Sequence, residues 1–188
     1  MKSQIAKLLV AAMLLFISWP TDADEYDDTV AIFKNAGESG SFFAKSYGYA
    51  VFPTVGKGGF VVGAARGNGR VFEQGKYVGD ATTSQISVGA QAGGQAYSQI
   101  VFFQDKRAFD EFTSGNFEFG ATAQAVVITA GASASAGSTG TAAGASGGKK
   151  DAKTVGEFHK GMAVFTVPKG GLMYEASIAG QKFKYTAR

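Results

Sequence analysis

Near the start of the chain, hydrophobic positions recur at helical spacing. Tyr26, Val30 and Phe33 fall at i, i+4 and i+7 and predict an amphipathic helix over residues 24–35. Acidic residues crowd the start of this helix, where they suit the positive end of the helix dipole, and Gly37 ends it. A second short helical turn is predicted immediately afterwards, over residues 39–46.

From Tyr49 onwards the apolar period shortens to two, which is the spacing of β-strands. Residues 85–92 alternate well, whereas Ile100 to Phe103 is apolar at every position and therefore indicates a central strand. The predicted strands cover residues 49–52 (ended by Pro53), 59–66, 70–72, 77 onwards, 85–92, 95–103, 117–130, 161–167, 172–178 and 181–185.

Turn residues separate these strands. Gly67-Asn68-Gly69 lies between apolar runs, and Asn-Gly in that position predicts a tight hairpin. Further turns are predicted at residues 73–76 and 168–171.

One internal helix interrupts the strands. Asp105 is placed to cap a helix over residues 106–114, with Phe109 and Phe112 facing inward and Gly115 at the C′ position. The pattern as a whole predicts a mainly β fold (α+β, β-dominated). Its core is a single curled or closed, barrel-like antiparallel sheet, with short N-terminal helices and this one internal helix.

Composition supports the β assignment. The 188 residues include 27 Gly and 16 Phe but only 3 Pro, which is typical of strands joined by tight turns where backbones approach closely. With 45% hydrophobic and 18% charged residues, the chain is globular in character.

The first 23 residues resemble an export signal. Lys2 and Lys7 precede an apolar run over residues 8–17, and a small-residue cleavage site ends at Ala23. A run of ten is too short for a membrane-spanning helix, although a retained anchor is the alternative. We therefore expect an exported protein, periplasmic or secreted. Residues 24–188 would then form the mature domain.

Charge and cysteine content narrow the range of possible functions. Removing the signal takes away two positive charges and one negative charge, so the net charge falls from +3 to +2, which argues against a nucleic-acid binder. The chain has no Cys, so we expect neither disulfides nor an acylated lipoprotein anchor. Residues 131–153 consist almost wholly of Gly, Ala, Ser, Thr and Lys and predict a flexible insertion.

Three motifs resemble those of the SYLF domain family. Residues 50–63, AVFPTVGKGGFVVG, resemble its opening signature, and residues 87–95, SVGAQAGGQ, resemble its Gly- and Gln-rich region. Residues 170–173 and 180–183 resemble its closing elements. Together these motifs extend the resemblance over residues 24–185.

The resemblance implies binding to lipid membranes. Eukaryotic members bind phosphoinositides, and some bind and bundle actin filaments, whereas bacterial members are exported proteins. The N-terminal helix that engages membranes in eukaryotic members is basic, but here it begins with four acids, which weakens the expectation of phosphoinositide binding. Actin binding is not expected of an exported bacterial-type protein.

Catalytic and metal chemistry find little support in the sequence. His159 is the sole histidine, no nucleophile-elbow motif occurs, and we expect His159 to lie at the surface. One His and no Cys leave zinc without enough nitrogen or sulfur ligands, and no cofactor motif is present. We therefore expect a protein that is not an enzyme and holds no metal or cofactor.

A binding surface for anionic lipid is the remaining candidate. Four basic residues lie in or beside predicted turns of one hairpin region, where they would meet at one end of the sheet and attract headgroups. Two phenylalanines of the second predicted helix could insert beside them. The candidates are Lys57, Arg66, Arg70, Lys76, Phe42 and Phe43.

The interpretation at this stage is an exported, non-enzymatic lipid-binding domain. Scattered solubilising charges and a buried phenylalanine pair are the simpler alternative for the candidate residues. Two other functions stay open: a soluble carrier that encloses an apolar ligand inside the sheet, and a structural or partner-binding protein of the cell envelope.

Overall fold

The computed structural model describes residues 23–59, 62–88, 93–120, 123, 125–128, 158–169 and 178–188. The expected export signal lies outside this part of the chain, except for Ala23. The predicted insertion at 131–153 also lies outside it, as does the predicted strand at 172–178 except for Ile178.

Three helices are described, and all three were predicted. They are α1 (Ala23–Asn35), α2 (Gly37–Lys45) and α3 (Lys106–Thr113). In α3 the Asp105 carboxylate accepts a hydrogen bond of 2.8 Å from the backbone N–H of Ala108, which confirms the predicted cap. Gly115 follows with φ +117°, a conformation that favours glycine at the C′ position.

Eight strands form one sheet. They are β1 (Gly48–Gly59), β2 (Val62–Glu73), β3 (Lys76–Val88), β4 (Gly93–Phe103), β5 (Asn116–Glu118), β6 (Val126–Val127), β7 (Met162–Lys169) and β8 (Lys182–Ala187). Their spatial order is β5-β8-β3-β2-β1-β4-β7-β6. The mainly β class and the single large sheet are therefore confirmed.

The structure refines the predicted sheet in two details. Of the two predicted forms, curled or closed, the sheet has the curled one, because among the described strands β5 and β6 form separate edges. It is not wholly antiparallel as predicted, since β6 pairs with β7 in parallel. The chain between these two strands is long enough to return to the same end of the sheet, as a parallel connection requires.

The sheet is strongly curled. Three strands separate β4 from β8, a distance of about 19 Å in a flat sheet. Yet Gln99 of β4 and Gln181, the residue before β8, form two reciprocal amide hydrogen bonds of 3.0 Å. The rings of Phe52 and Phe183 lie 5.6 Å apart across the same space. The curl brings strands that are distant in the ladder into direct contact.

The curl gives the sheet an inner and an outer face. The inner face is filled by a core to which α3 contributes Phe109 and Phe112. The outer face of β1, β4 and β7 is covered by α1 and α2, which bury Phe33 and Phe42 against it. Alternate residues of β1, β4 and β7 therefore face two different cores.

Pro53 does not end β1, contrary to the prediction. The strand continues to Gly59, and its pairing with both neighbours shifts register near the proline, between Val51 and Val55. A proline cannot donate to the ladder, and a local irregularity accommodates it. Ser98 Oγ donates a 2.7 Å hydrogen bond to the Pro53 carbonyl oxygen.

The hairpin predicted at residues 67–69 is also wrong. β2 is continuous through this segment, and the pairing of β1 with β2 ends instead at Gly59 and Gly63. The glycines are needed for space: a Cβ on Gly67 would lie 2.8 Å from a Val55 methyl, and one on Gly69 would lie 2.5 Å from the Phe52 ring. The turn predicted at 73–76 is confirmed, with positive φ at Gln74 and Gly75.

Two later strands have different bounds from those predicted. The long strand expected over 117–130 is replaced by the short strands β5 and β6. Phe119 lies just after β5, where its ring packs against Phe183 and its N–H donates to the carbonyl oxygen of Gln181. Pro168 and Lys169 belong to β7 rather than to a turn.

Candidate binding surface

The outer face of the sheet continues beyond the helices, over β2, β3 and β8. Outward residues on these strands are mostly exposed and lie side by side in the ladder. We call this surface the open face and define it by Val62, Ala64, Arg66 and Asn68 of β2, Thr82, Ser84 and Ile86 of β3, and Lys182 and Lys184 of β8.

Register places the basic residues of the open face around small hydroxyl side chains. Ser84 lies between Arg66 on β2 and Lys182 on β8. Thr82 lies between Asn68 and Lys184 in the same way. Because neighbouring strands are about 4.8 Å apart, the three positive charges can reach a common anionic surface.

One end of the open face is aliphatic. Ile86 is 76% exposed and Val62 is 59% exposed, and Ala64 lies directly opposite Ile86. Large apolar side chains on a strand are normally placed against a core, so a pair of them on a face that no described element covers marks a candidate contact surface.

The structure separates the four basic residues that the sequence grouped together. Lys57 lies opposite Ala65 and so projects from the inner side, whereas Arg66 projects from the outer face. Lys76 lies opposite Glu73, eight positions further along β2 than Ala65, or about 27 Å away. These residues therefore do not meet at one end of the sheet, and only Arg66 belongs to the open face.

Arg70 lies at the border between the covered and uncovered parts of the outer face. Its guanidinium carbon is 4.1 Å from the ring centre of Tyr26 in α1 and 5.2 Å from that of Tyr77 in β3. These cation–π contacts hold α1 against the sheet. Arg70 is accordingly half-buried, and its contacts give it a structural role.

The two candidate phenylalanines are parts of the outer core. Phe42 is 4% exposed, with ring contacts to Phe102 and Phe165. Phe43 is half-buried and makes edge contacts with Tyr49 and Phe102. The burial of Phe42 contradicts its expected role as an inserting side chain.

Sequence reasoning missed Lys182, Lys184 and Ile86. The Lys-Phe-Lys alternation at 182–184 does indicate that both lysines share one face of a strand. It does not indicate that β8 pairs with β3, and that pairing is what brings the lysines beside Ser84 and Thr82.

The electrostatics of the open face are mostly basic. Lys182 Nζ lies 3.6 Å from a carboxylate oxygen of Glu118 on β5, and both side chains are exposed. Asp80 is further along β3, opposite Arg70, and accepts a hydrogen bond from the Tyr77 hydroxyl. That bond is the main cause of a raised pKa at Tyr77.

The inner face is polar in part, and one of its tyrosines has a raised pKa. Burial raises the pKa of Tyr97 to about 12. On the same face, Gln85 Nε2 donates a 2.9 Å hydrogen bond to the carbonyl oxygen of Ala179. This bond joins β3 to the segment that precedes β8.

Groups that could carry other chemistry are few in the described part of the chain. His159 is exposed and forms backbone hydrogen bonds with Met162, which confirms its predicted surface position. Among the described residues, no three His, Cys, Asp or Glu side chains lie close enough to hold a metal ion. An open depression is lined by Glu118, Phe119, Gly120, Ala179 and Gly180.

None of the described helices is both long and apolar enough to cross a membrane.

These features define a class: an α+β, β-dominated domain built on one curled sheet, with a basic and aliphatic outer surface. The profile of the Ysc84 family, described as "Las17-binding protein actin regulator", matches residues 84–186, just over half of the chain. The protein belongs to this family, the SYLF family that its motifs resemble.

A curated relative is the Beta cell expansion factor A of Aeromonas veronii. It is 26% identical over 157 residues, which cover 82% of this chain and 51% of the relative. The chain thus spans about half the length of the curated relative that it matches.

Proposed function

We propose that this protein is an exported, non-enzymatic domain that binds the surface of anionic lipid membranes. One observation carries the proposal: exposed Ile86 and Val62 share a sheet face, which no described helix covers, with Arg66 and two lysines. Aliphatic side chains beside basic ones suit a lipid interface, where apolar groups enter the headgroup region and cations lie near phosphates.

Each residue is expected to contribute little to the affinity for the membrane, but the contributions add up. Transfer of an aliphatic side chain such as Ile86 out of water is worth up to about 1.5–3 kcal/mol. Each basic side chain near an anionic surface adds ~1 kcal/mol. The electrostatic part is screened by salt, so binding should weaken as ionic strength rises.

Sedimentation with liposomes tests the proposal. The purified protein is expected to pellet with vesicles that contain phosphatidylglycerol at low salt, and less with vesicles of phosphatidylcholine alone. Ile86→Glu should reduce pelleting roughly tenfold or more, since it removes an apolar contact and adds a repelled charge. Absence of pelleting at low salt would overturn the proposal.

A matched control is available on α1. Ile32 is 43% exposed and is not part of the open face, so Ile32→Glu makes the same chemical change away from the proposed contact surface. We expect this variant to bind vesicles like the unaltered protein.

The carrier hypothesis gains less support. The described inner face is filled by contacts among Phe52, Phe103, Phe112 and Phe183, with ring centres 4.8–5.6 Å apart. Lipid found by mass spectrometry in the purified protein would favour a carrier. The family description refers to actin, which an exported protein would not meet, so we do not extend it to this chain.

A further inference from the structure

The open face is graded along its strands. Outward residues of one strand recur every second position, about 6.6 Å apart. The first row is Ala64 and Ile86, with Val62 beyond it. The second row is Arg66, Ser84 and Lys182, and the third is Asn68, Thr82 and Lys184. The surface is thus aliphatic at its end and basic one row inward.

The spacing of these rows matches the dimensions of a bilayer interface. Apolar side chains of interfacial proteins enter about 5–10 Å into the boundary between headgroups and acyl chains. One row of the sheet spans a similar distance. When the aliphatic row enters that boundary, the row with Arg66 and Lys182 therefore lies at the level of the phosphates.

Acidic residues oppose any docking with the sheet lying flat. Glu25 of α1 lies beside the open face, because its carboxylate is 3.2 Å from the hydroxyl of Thr54, a β1 residue opposite Asn68 in the third row. Asp27 and Asp28 are also exposed on α1. Asp80 lies on β3, one row further from the aliphatic end. Flat docking would press these carboxylates against an anionic surface.

We infer that the domain docks end-on, with the aliphatic end of β2 and β3 inserted and Arg66, Lys182 and Lys184 contacting headgroup phosphates. This orientation rests on the proposed membrane binding and adds the direction from which the sheet approaches. Glu25, at the acidic start of α1, then stays level with the third row, behind the inserted aliphatic end and the row of Arg66 and Lys182.

Site-specific fluorescence tests the orientation. Because the chain has no cysteine, single substitutions Ile86→Cys, Asn68→Cys and Lys76→Cys can each carry one environment-sensitive nitrobenzoxadiazole probe. With phosphatidylglycerol vesicles, we expect a strong rise in emission at position 86, a smaller rise at 68 and none at 76. Equal responses at 68 and 86, or the largest response at 76, would overturn the end-on orientation.

Charge reversal tests the basic rows. Arg66→Glu and Lys182→Glu should each weaken vesicle binding roughly tenfold, since each changes the local charge by two. Lys76→Glu makes an identical change in net charge at the far end of the same hairpin and should leave binding within roughly twofold of the unaltered protein. Equal losses in all three variants would show that net charge, and not this face, determines binding.

The acidic partner gives an opposite prediction. Glu118→Gln frees Lys182 from its ion pair and should strengthen binding roughly two- to fivefold. If the unaltered protein fails to bind any vesicle, the proposed function itself fails. If it binds while the position-86 probe stays silent, only the orientation fails.

Discussion

Phe72 and Arg66 project from the same face of β2, three outward positions apart, yet they have different roles. Phe72 packs against Tyr49 beneath the helices, in stacked rings 4.9 Å apart. Arg66 is exposed beside Ser84. The covered half of the outer face is aromatic, and the open face is basic, hydroxylic and aliphatic. One sheet surface thus supplies both a core and a free contact surface, and the extent of α1 and α2 separates them.

The largest expected difference between the halves is in stability. Phe102 is fully buried under the helices, with rings of Phe43 and Phe165 within 6 Å. Phe102→Ala should lower the free energy of unfolding by ~3–5 kcal/mol through loss of packing. Ile86→Ala on the open face should change it by no more than ~0.5 kcal/mol. Urea denaturation followed by circular dichroism measures both, and similar losses would break the comparison.

Breaking the buried pair of glutamine amides on the inner face of the sheet should have the next largest effect on stability. Gln99 and Gln181 are both buried, and each satisfies the other. Gln99→Leu leaves the Gln181 amide without this partner and should cost ~1–3 kcal/mol of stability. Adding Gln181→Leu should recover part of the loss, because no buried amide then lacks its partner. A double-mutant cycle in urea checks this, and strict additivity would contradict the expected coupling.

Alkaline pH should weaken the inner core. Burial raises the pKa of Tyr97 to about 12 in the folded protein, whereas its ordinary value is 10.0. The unfolded chain therefore releases this proton first, and the stabilising difference is intact below pH 10 and is lost as the pH rises towards 12. The loss from this group is at most ~2–3 kcal/mol.

Tyr97→Phe provides the control for that pH dependence. Urea denaturation at pH 8 and pH 11 should show a smaller difference in this variant than in the unaltered protein. An unchanged pH slope would mean that other tyrosines, such as Tyr49, whose pKa burial also raises, dominate the alkaline loss.

The smallest effect is expected at the border between the halves. Arg70→Ala removes cation–π contacts with Tyr26 and Tyr77 and should cost ~1 kcal/mol. This substitution should increase the deuterium exchange rate of the α1 amides more than that of the β2 amides, because the helix is then less firmly held. Arg70→Lys is the matched control and should retain part of the contact. Uniform exchange changes across the domain would contradict this role for Arg70.

Much of the fold followed from local patterns. The cap at Asp105 and the buried run from Ile100 to Phe103 depend on neighbours in sequence, and both were predicted correctly. Gly67 and Gly69 misled the prediction because glycine suits both a turn and a close approach. Here the glycine at position 69 allows a close approach to the ring of Phe52, which lies on another strand.

The candidate site was less predictable than the fold. Arg66 was identified, but it was grouped with Lys57 and Lys76, from which sheet register separates it. Basic residues near predicted turns appear close in sequence, while closeness on a sheet depends on which strands pair. The lipid-binding role of these residues remains a prediction.

By itself, the sequence determined the β-dominated class, the three helices and the family motifs, because these depend on residue type and spacing along the chain. Only the tertiary structure decided that β8 lies beside β3, that Gln99 meets Gln181, and that the helices stop short of Ile86. Such contacts join residues far apart in sequence, and their geometry depends on the curl of the whole sheet.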